Sequence, residues 1–354
     1  MSSIFLSMPL SVRVENKNLI LRYNTPELEE TKIIALLPSQ KAVTHIVIPM
    51  IGGFISHSAI LWCYDHNISL TFLDKKRYPV QTFYPYASCY PSMKRMQASM
   101  TWEDTCPFVK EWIAKKVQGQ LDNLIIFSDS LTHIRYIERP LRDKAMKEME
   151  AAMRTMNTIQ DEINLSESMD KDSLRGLEGQ ASQQYFSAIK ELPVHFRKVK
   201  ALPSEWVPIG PRNGLNGNSS RKALTPFHAL LNYGYGMLSR RMLIALIGEH
   251  LDPDLGFFHS DHNQRENLVY DVIEPLRPLI DKWVWNIMIV QERKASDFLQ
   301  NYEGHVTILT PALKLWQKEI DNILETPVKD TAKQLGKSLR TRLTQSDSRA
   351  VDLS

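Results

Sequence analysis

The stretch GFFHSDHNQRENLVYDVIEPLRPLID, residues 256–281, organises the reading of the chain. Asn263 followed by Glu266 has the pattern of an N-cap and its capping-box partner, which predicts a helix starting there. His259 then lies on the loop feeding that helix. Asp271 and Glu274, three residues apart, fall on one helix face two to three turns in. A loop folded back along the helix brings an imidazole to two carboxylates. Nitrogen with carboxylate oxygen is a ligand set suited to Mn2+ or Mg2+. Pro275 cannot donate a helix hydrogen bond, so a kink is expected that aims Glu274 inward. Taken singly, each residue carries little weight. A helix carboxylate is more often a solvated face, and a lone histidine more often a satisfied core residue.

Before this stretch the pattern changes once. Residues 11 to about 85 read as strands: Ser11–Glu15 alternates, Asn16 and Lys17 supply a turn, and Asn18–Tyr23 alternates again, a hairpin signature. Val43–Ile48 and Ser69–Leu73 are further β-rich runs, with Gly52-Gly53 as a turn and Ser56 as the cap of a short helix through Cys63. The Pro- and Tyr-rich segment Tyr84–Pro91 reads as a linker, its tyrosines Tyr84, Tyr86 and Tyr90 as linker packing before base stacking. From Trp102 the spacing becomes helical, with Val109, Trp112, Ile113, Val117, Leu121 and Leu124 on one face. Helices are expected over Arg142–Ile163, Asp170–Leu192, Thr225–Gly248 and Leu313–Leu324. Gly176 and Gly179 flank Glu178, and each costs a helix about 1 kcal/mol relative to alanine. They imply a close approach, either by another helix or by a ligand backbone. The tail from Pro327 is charged and polar and reads as partly disordered.

Composition narrows the classes. A chain of 354 residues with 43% hydrophobic content suits two packed domains. A net charge of +3 permits nucleic-acid binding without announcing it, so any DNA surface must come from local clustering. Cys63, Cys89 and Cys106 form neither a disulfide framework nor a zinc pair, and His262, three after His259, has no matching pair either. Gly336-Lys337-Ser338 imitates the end of a phosphate-binding loop, but Thr331 stands where its first glycine belongs. The N-terminus lacks a basic leader, and the apolar run near Met237–Ile247 is cut by Arg240 and Arg241. A cytoplasmic protein with no membrane association is the expectation.

Three motifs together resemble a known family. GFFH, an arginine and LVYDVIEPLRPLID resemble the signature of the CRISPR-associated integrase, the endonuclease subunit that inserts new spacers. Leu174-Arg-Gly-Leu-Glu-Gly179 resembles its L-R-G-x-E-G helix, and ALLNYGY at Ala229–Tyr235 its third motif, in family order. HIVIP, a capped helix and ISLTFLD resemble its N-terminal domain. The resemblance spans about residues 10–290. It implies an α+β fold: a small N-terminal β-sandwich-like domain over 1–91 with its linker from 84, a larger all-α catalytic domain over 92–326, and a charged C-terminal tail over 327–354 beyond it. Three departures stand out: His228 replaces an asparagine, Gln264 and Asn267 replace a glycine and a serine, and the glycine usual after FLD is missing from Asp74–Arg77.

The resemblance implies a site and an activity. Glu178, His259 and Glu274 are the implied ligands of one Mg2+ or Mn2+, with Asp271 either a second ligand or an orienting group. A divalent metal neutralises the phosphodiester and lowers the pKa of an attacking hydroxyl. The implied reaction is metal-dependent DNA cleavage and integration, in which a 3′-hydroxyl of a short duplex attacks a target phosphodiester. One phosphodiester replaces another, so no nucleotide energy source is needed. Arg175, Arg221, Lys222, Arg240, Arg241, Arg265 and Arg277 are candidate DNA contacts, beside the plainer reading of surface charge or pairing such as Arg277 with Glu274. Implied partners are double-stranded DNA (incoming fragment and target repeat), a second copy through the β domains, and a small ferredoxin-like companion subunit. Two alternatives remain: a transposon-borne integrase using the same site, and a catalytically silent DNA-binding scaffold, against which the intact trio argues.

Overall fold

The computed structural model describes residues 2–6, 8–24, 31–39, 43–50, 52–73, 79–83, 91–197, 202–212, 223–259 and 266–351. The chain divides into two compact units, Met1–Cys89 with Thr310–Glu319, and Tyr90–Leu309 with Ile320–Ser354. The fold is α+β as expected, with β-sheet first and a largely helical second part.

In the first unit the strands are β1 (Ser2–Phe5), β2 (Met8–Glu15), β3 (Asn18–Asn24), β4 (Thr31–Leu36), β5 (Val43–Pro49), β6 (Phe54–Ile55), β7 (Ser69–Leu73) and β8 (Pro79–Phe83), with helix α1 (His57–Asp65) between β6 and β7. They form two four-stranded sheets, ordered β1-β5-β7-β8 and β4-β3-β2-β6. Asn16 and Lys17 both take positive φ, 49° and 66°, the left-handed pair that a tight hairpin needs to match strand twist. Ser56 caps α1 by accepting from the Ala59 N–H at 3.2 Å. Trp62 Nε1 donates to Lys17 O at 2.8 Å, tying the helix to the hairpin turn. Leu21 from β3, Ile46 from β5, Leu70 from β7 and Ala59 from α1 share one buried cluster. Gly53 is required there: at φ 79° a Cβ would sit 2.3 Å from Pro9 O.

The second unit is built on helices α2 (Pro91–Ser99), α3 (Trp102–His133), α4 (Arg139–Leu165), α5 (Lys171–Ile189), α6 (Pro226–Gly248), α7 (Asn267–Val272) and α8 (Arg277–Trp285). A ribbon of β9 (Phe298–Gln300) and β10 (Val306–Ile308), which the sequence did not announce, pairs antiparallel. Helix α9 (Thr310–Val351) closes the chain. The predicted stripe of α3 is buried from Val109 to Leu131, and two of the four methionines of α4, Met149 and Met156, are core. Two glycines set how closely α8 approaches its neighbours. A Cβ on Gly119 of α3 would sit 2.8 Å from Pro278 Cγ, and one on Gly234 of α6 would sit 2.4 Å from Ile280 Cγ2. Asn123 Nδ2 then donates to Pro278 O at 2.8 Å.

Three local expectations are corrected. Helix α7 starts at Asn267 after Glu266 in the left-handed region (φ 69°), whereas the expected cap Asn263 lies outside the described residues. The helix also stops at Val272. Glu274 opens a separate 3-10 turn with Pro275 in its second place, so Asp271 and Glu274 do not share one helix face. The segment from Pro327, read from composition as partly disordered, is helix to Val351. The reason is burial at helical spacing: Val328, Ala332, Leu335 and Leu339 are all interior. Arg340 also reaches the end of α6, with NH2 2.7 Å from Glu249 Oε2 and NH1 donating to Glu249 O at 3.2 Å. No helix among the described residues is long and apolar enough to cross a membrane.

Candidate active site

The loop carrying His259 folds back onto α7, as its position predicts. Asp271 fixes it there. Its Oδ2 accepts from Phe257 N–H at 2.6 Å and Phe258 N–H at 2.8 Å, and its Oδ1 from His259 N–H at 2.9 Å. The His259 imidazole is the fourth partner, with Nδ1 2.5 Å from Asp271 Oδ1. A carboxylate offers about four lone-pair sites, so Asp271 has its full complement of donors. The buried aspartate thereby orients the ring through Nδ1 and leaves Nε2 without a partner among the described residues. Gly256 permits the close approach: a Cβ there would sit 2.5 Å from Asn267 Cβ and 3.1 Å from Asp271 Oδ2. Arg175 braces the loop from α5, donating to Phe258 O at 3.1 Å while pairing with Asp172 at 3.0 Å.

Glu178 and Glu274 come from different elements and meet at one cation. The Lys116 ammonium, from the interior stripe of α3, donates to Glu178 Oε1 and lies 2.7 Å from Glu274 Oε2. Its side chain is 6% exposed. Arg277 NH2 holds the other oxygen of Glu274 at 3.0 Å, and Ser182 donates to Glu178 Oε1 at 3.1 Å. Burial pushes the Glu274 carboxyl up, but Arg277 and Lys116 outweigh it and hold the group below its usual range. Burial likewise disfavours the charged Lys116, and Glu274 with Glu178 outweighs that and raises its pKa. Glu274 Oε2 is buried, with the Lys116 ammonium 2.7 Å away as its polar neighbour.

A cation thus already stands between the two carboxylates, where a metal would sit. A metal fits there: two carboxylates converge on one cation, and Asp271 orients an imidazole whose field reaches Glu274. Among the described residues no three His, Cys, Asp or Glu groups close on a common point. The ammonium, not a third ligand, completes the geometry.

Beside this pair lies a cavity of ≈ 720 Å³ lined by Glu178, Lys116, Lys190, Arg212, Tyr235 and Arg277 among others. Arg212 sits between the rings of Phe186 and Tyr235, 5.8 and 5.6 Å from their centroids, and donates to Asn232 Oδ1 at 3.0 Å. Tyr235 donates to Asp281 at 2.5 Å. Gly176 and Gly179 face open space, since a Cβ on either would meet no described atom within 4 Å. Tight helix packing therefore does not account for them.

The basic candidates divide. Arg277 belongs to the carboxylate pair and Arg175 is half-exposed at the loop. Arg240 and Arg241 are mostly buried against Glu266 at 2.8 Å and against Asp321, so charge pairing accounts for both. Arg221, Lys222 and Arg265, like Tyr84, Tyr86 and Tyr90, lie outside the described residues. Lys116, Gln120 and Arg212 were missed. The first two had a visible signal, polar residues three and four places along an otherwise apolar stripe. Arg212 had none, because its ring partners come from α5 and α6.

The model of the family described as CRISPR associated protein Cas1 matches residues 10–321. The chain belongs to the Cas1 family. A curated Cas1 relative, CRISPR-associated endonuclease Cas1 1 of Methanospirillum hungatei, is 28% identical over 263 residues, 73% of this chain and 70% of that one. Among solved structures, a casposase bound to integration product superposes with a TM-score of 0.74 at 18% identity, covering 97% of this chain and 91% of the other. A Cas6-RT-Cas1–Cas2 complex gives 0.69 at 15% identity, over 96% of this chain and 35% of the other. At those identities the likeness is one of fold.

Proposed function

We propose that this Cas1 protein joins short DNA duplexes to a target CRISPR repeat by metal-dependent transesterification. The observation that carries the reading is the convergence of Glu178 and Glu274 on one cation, with an imidazole held by Asp271 whose field reaches Glu274. Glu178, Glu274 and His259 Nε2 would hold Mg2+ or Mn2+, which supplies charge neutralisation and activates the attacking 3′-hydroxyl. Asp271 acts through His259 rather than as a ligand, because its acceptor sites are filled. Arg277 orients Glu274, and Arg175 fixes the loop. Lys190, Arg212 and Arg277 line a mainly cationic cavity that suits the phosphates of an entering strand. The open face at Gly176 and Gly179 gives a DNA backbone room beside Glu178. The transfer conserves phosphodiester bonds, so it needs no nucleotide cofactor.

Exposed apolar residues on the first unit, Ile33 and Phe54 on the edge strands with Leu61 and Tyr64 on α1, support pairing of two copies there. The fold's presence in a Cas1–Cas2 complex supports a small companion subunit. The test is strand transfer with labelled duplex, supercoiled plasmid, Mn2+ and companion subunit, beside Glu178→Ala. Label joined to plasmid by the unaltered protein alone is expected. Joining by both proteins removes Glu178 from the site, and DNA binding with joining by neither favours a silent scaffold. Use of terminal repeats in place of CRISPR repeats would favour the transposon-borne reading, which the casposase likeness keeps in view.

A further inference from the structure

Lys116 has no part in the reaction as described, yet it holds the two oxygens on which the site depends. Its Nζ bonds Glu178 and lies 2.7 Å from Glu274 Oε2. A divalent ion held by these carboxylates needs the same place. Both cations cannot have it, because Arg277 already adds a positive charge 3.0 Å from Glu274. Packing does not call for a charge here, since the rest of the stripe from Val109 to Leu131 is mainly apolar and an ammonium is costly to bury.

The surroundings decide what happens to a displaced ammonium. Lys116 borders the neighbouring cavity, whose described lining holds Lys190, Arg212 and Arg277 and, as its one carboxylate, Glu178. Arg212 hydrogen-bonds the neutral Asn232 and is stacked between aromatic rings. An ammonium turned out of the carboxylate pair would therefore face cations. It becomes stable there only with an anion beside it, and a DNA phosphodiester is such an anion.

We propose that Lys116 is an internal competitor for the divalent ion: it holds Glu178 and Glu274 against loading, and it releases them when a DNA phosphate enters the adjacent cavity to pair with its ammonium. Metal and DNA then bind cooperatively. By linkage the duplex tightens the metal by the same factor as the metal tightens the duplex. Lys116 acts as a positioning residue whose partner changes from carboxylate to phosphate. The inference rests on the metal reading given above.

The experiment is Mn2+ affinity, read from the electron paramagnetic resonance signal of free Mn2+. It compares the full chain, Lys116→Met and Glu178→Gln, each with and without a short DNA duplex. Lys116→Met is expected to bind Mn2+ about tenfold or more tighter than the unaltered protein in the absence of DNA. The duplex is expected to tighten Mn2+ in the unaltered protein and to change little in Lys116→Met. Equal or weaker Mn2+ affinity in Lys116→Met, or no effect of duplex on the unaltered protein, overturns the proposal. If the unopposed carboxylates leave Lys116→Met unstable, Mn2+ must raise its melting temperature more than it raises that of the unaltered protein. An equal or smaller rise overturns the proposal too. Glu178→Gln keeps the two failures apart. If it binds Mn2+ as the unaltered protein does, the metal reading itself falls. If it binds more weakly while Lys116→Met gains nothing, only the competitor role falls.

Discussion

At the scale of single residues the account turns on Asp271 and His259. Asp271 takes three backbone N–H groups and the His259 ring, so an amide in its place loses one acceptor oxygen and presents donors to donors. Asp271→Asn is expected to lower unfolding free energy by about 2–4 kcal/mol, from lost charge-assisted hydrogen bonds in a buried setting. Urea denaturation near pH 7 measures it. If Asp271 works through His259, the Mn2+ affinities of Asp271→Asn, His259→Ala and the double variant form a non-additive cycle, the double losing little more than His259→Ala alone. Additive losses would return Asp271 to the ligand set. The sequence located both residues but left the role of Asp271 open, because spacing along a helix does not show which N–H groups a loop brings back. Lys116 was legible only as a charge on an apolar stripe, with nothing local to say that two glutamates from other elements would meet it.

At the scale of elements, glycines of two kinds make opposite predictions. Gly119 and Gly234 let α3 and α6 approach α8, which is how Lys116 reaches Glu274. Gly234→Ala puts a Cβ 2.4 Å from Ile280 Cγ2. It is expected to cost about 1–3 kcal/mol through overpacking, seen as a lower denaturation midpoint. Gly176 and Gly179 meet nothing within 4 Å, so Gly176→Ala and Gly179→Ala should stabilise α5 by up to about 1 kcal/mol each. The same changes should weaken DNA binding, measured by fluorescence anisotropy, if the open face admits a backbone. Unchanged affinity would remove that role. The sequence marked both glycines around Glu178 as an anomaly. The choice between helix packing and ligand approach had to wait for their surroundings. The hairpin, the Ser56 cap and the α3 stripe were readable because each rests on local chemistry. The start of α7 and the helical tail were not. Glu266 enters α7 through a left-handed backbone held by Asp254, whose Oδ1 accepts from its N–H at 2.7 Å. The tail is ordered by burial against distant helices despite its charge.

For the whole molecule, two buried groups push the response to acid in opposite directions. Burial pushes the Asp281 carboxyl up to about 6, so its share of stability is present below its ordinary value of 3.8 and is lost as pH rises through about 6. Burial, aided by Arg212, pushes His228 down to about 4 from 6.5, so its share is present above 6.5 and is lost as pH falls through about 4. The two shifts are of similar size, about 3 kcal/mol each at 1.36 kcal/mol per pH unit, and they oppose between about pH 4 and 6. Their two contributions should therefore nearly cancel across that window. His228→Asn should lose stability as pH rises, and Asp281→Asn should lose it as pH falls. Denaturant melts at pH 4.5, 5.5 and 6.5 are the check. Parallel profiles for the three proteins would contradict the assignment. Glu178, Glu274 and His259 of one chain would together hold a single divalent metal, with Asp271 behind them. An anomalous-difference map from crystals grown with Mn2+ and a short duplex tests this. One peak is expected, bonded to Glu178, Glu274 and Nε2 of His259, with Asp271 still on Nδ1 and Lys116 turned toward phosphate. A peak bonded to Asp271, or no peak at the two glutamates, would contradict it.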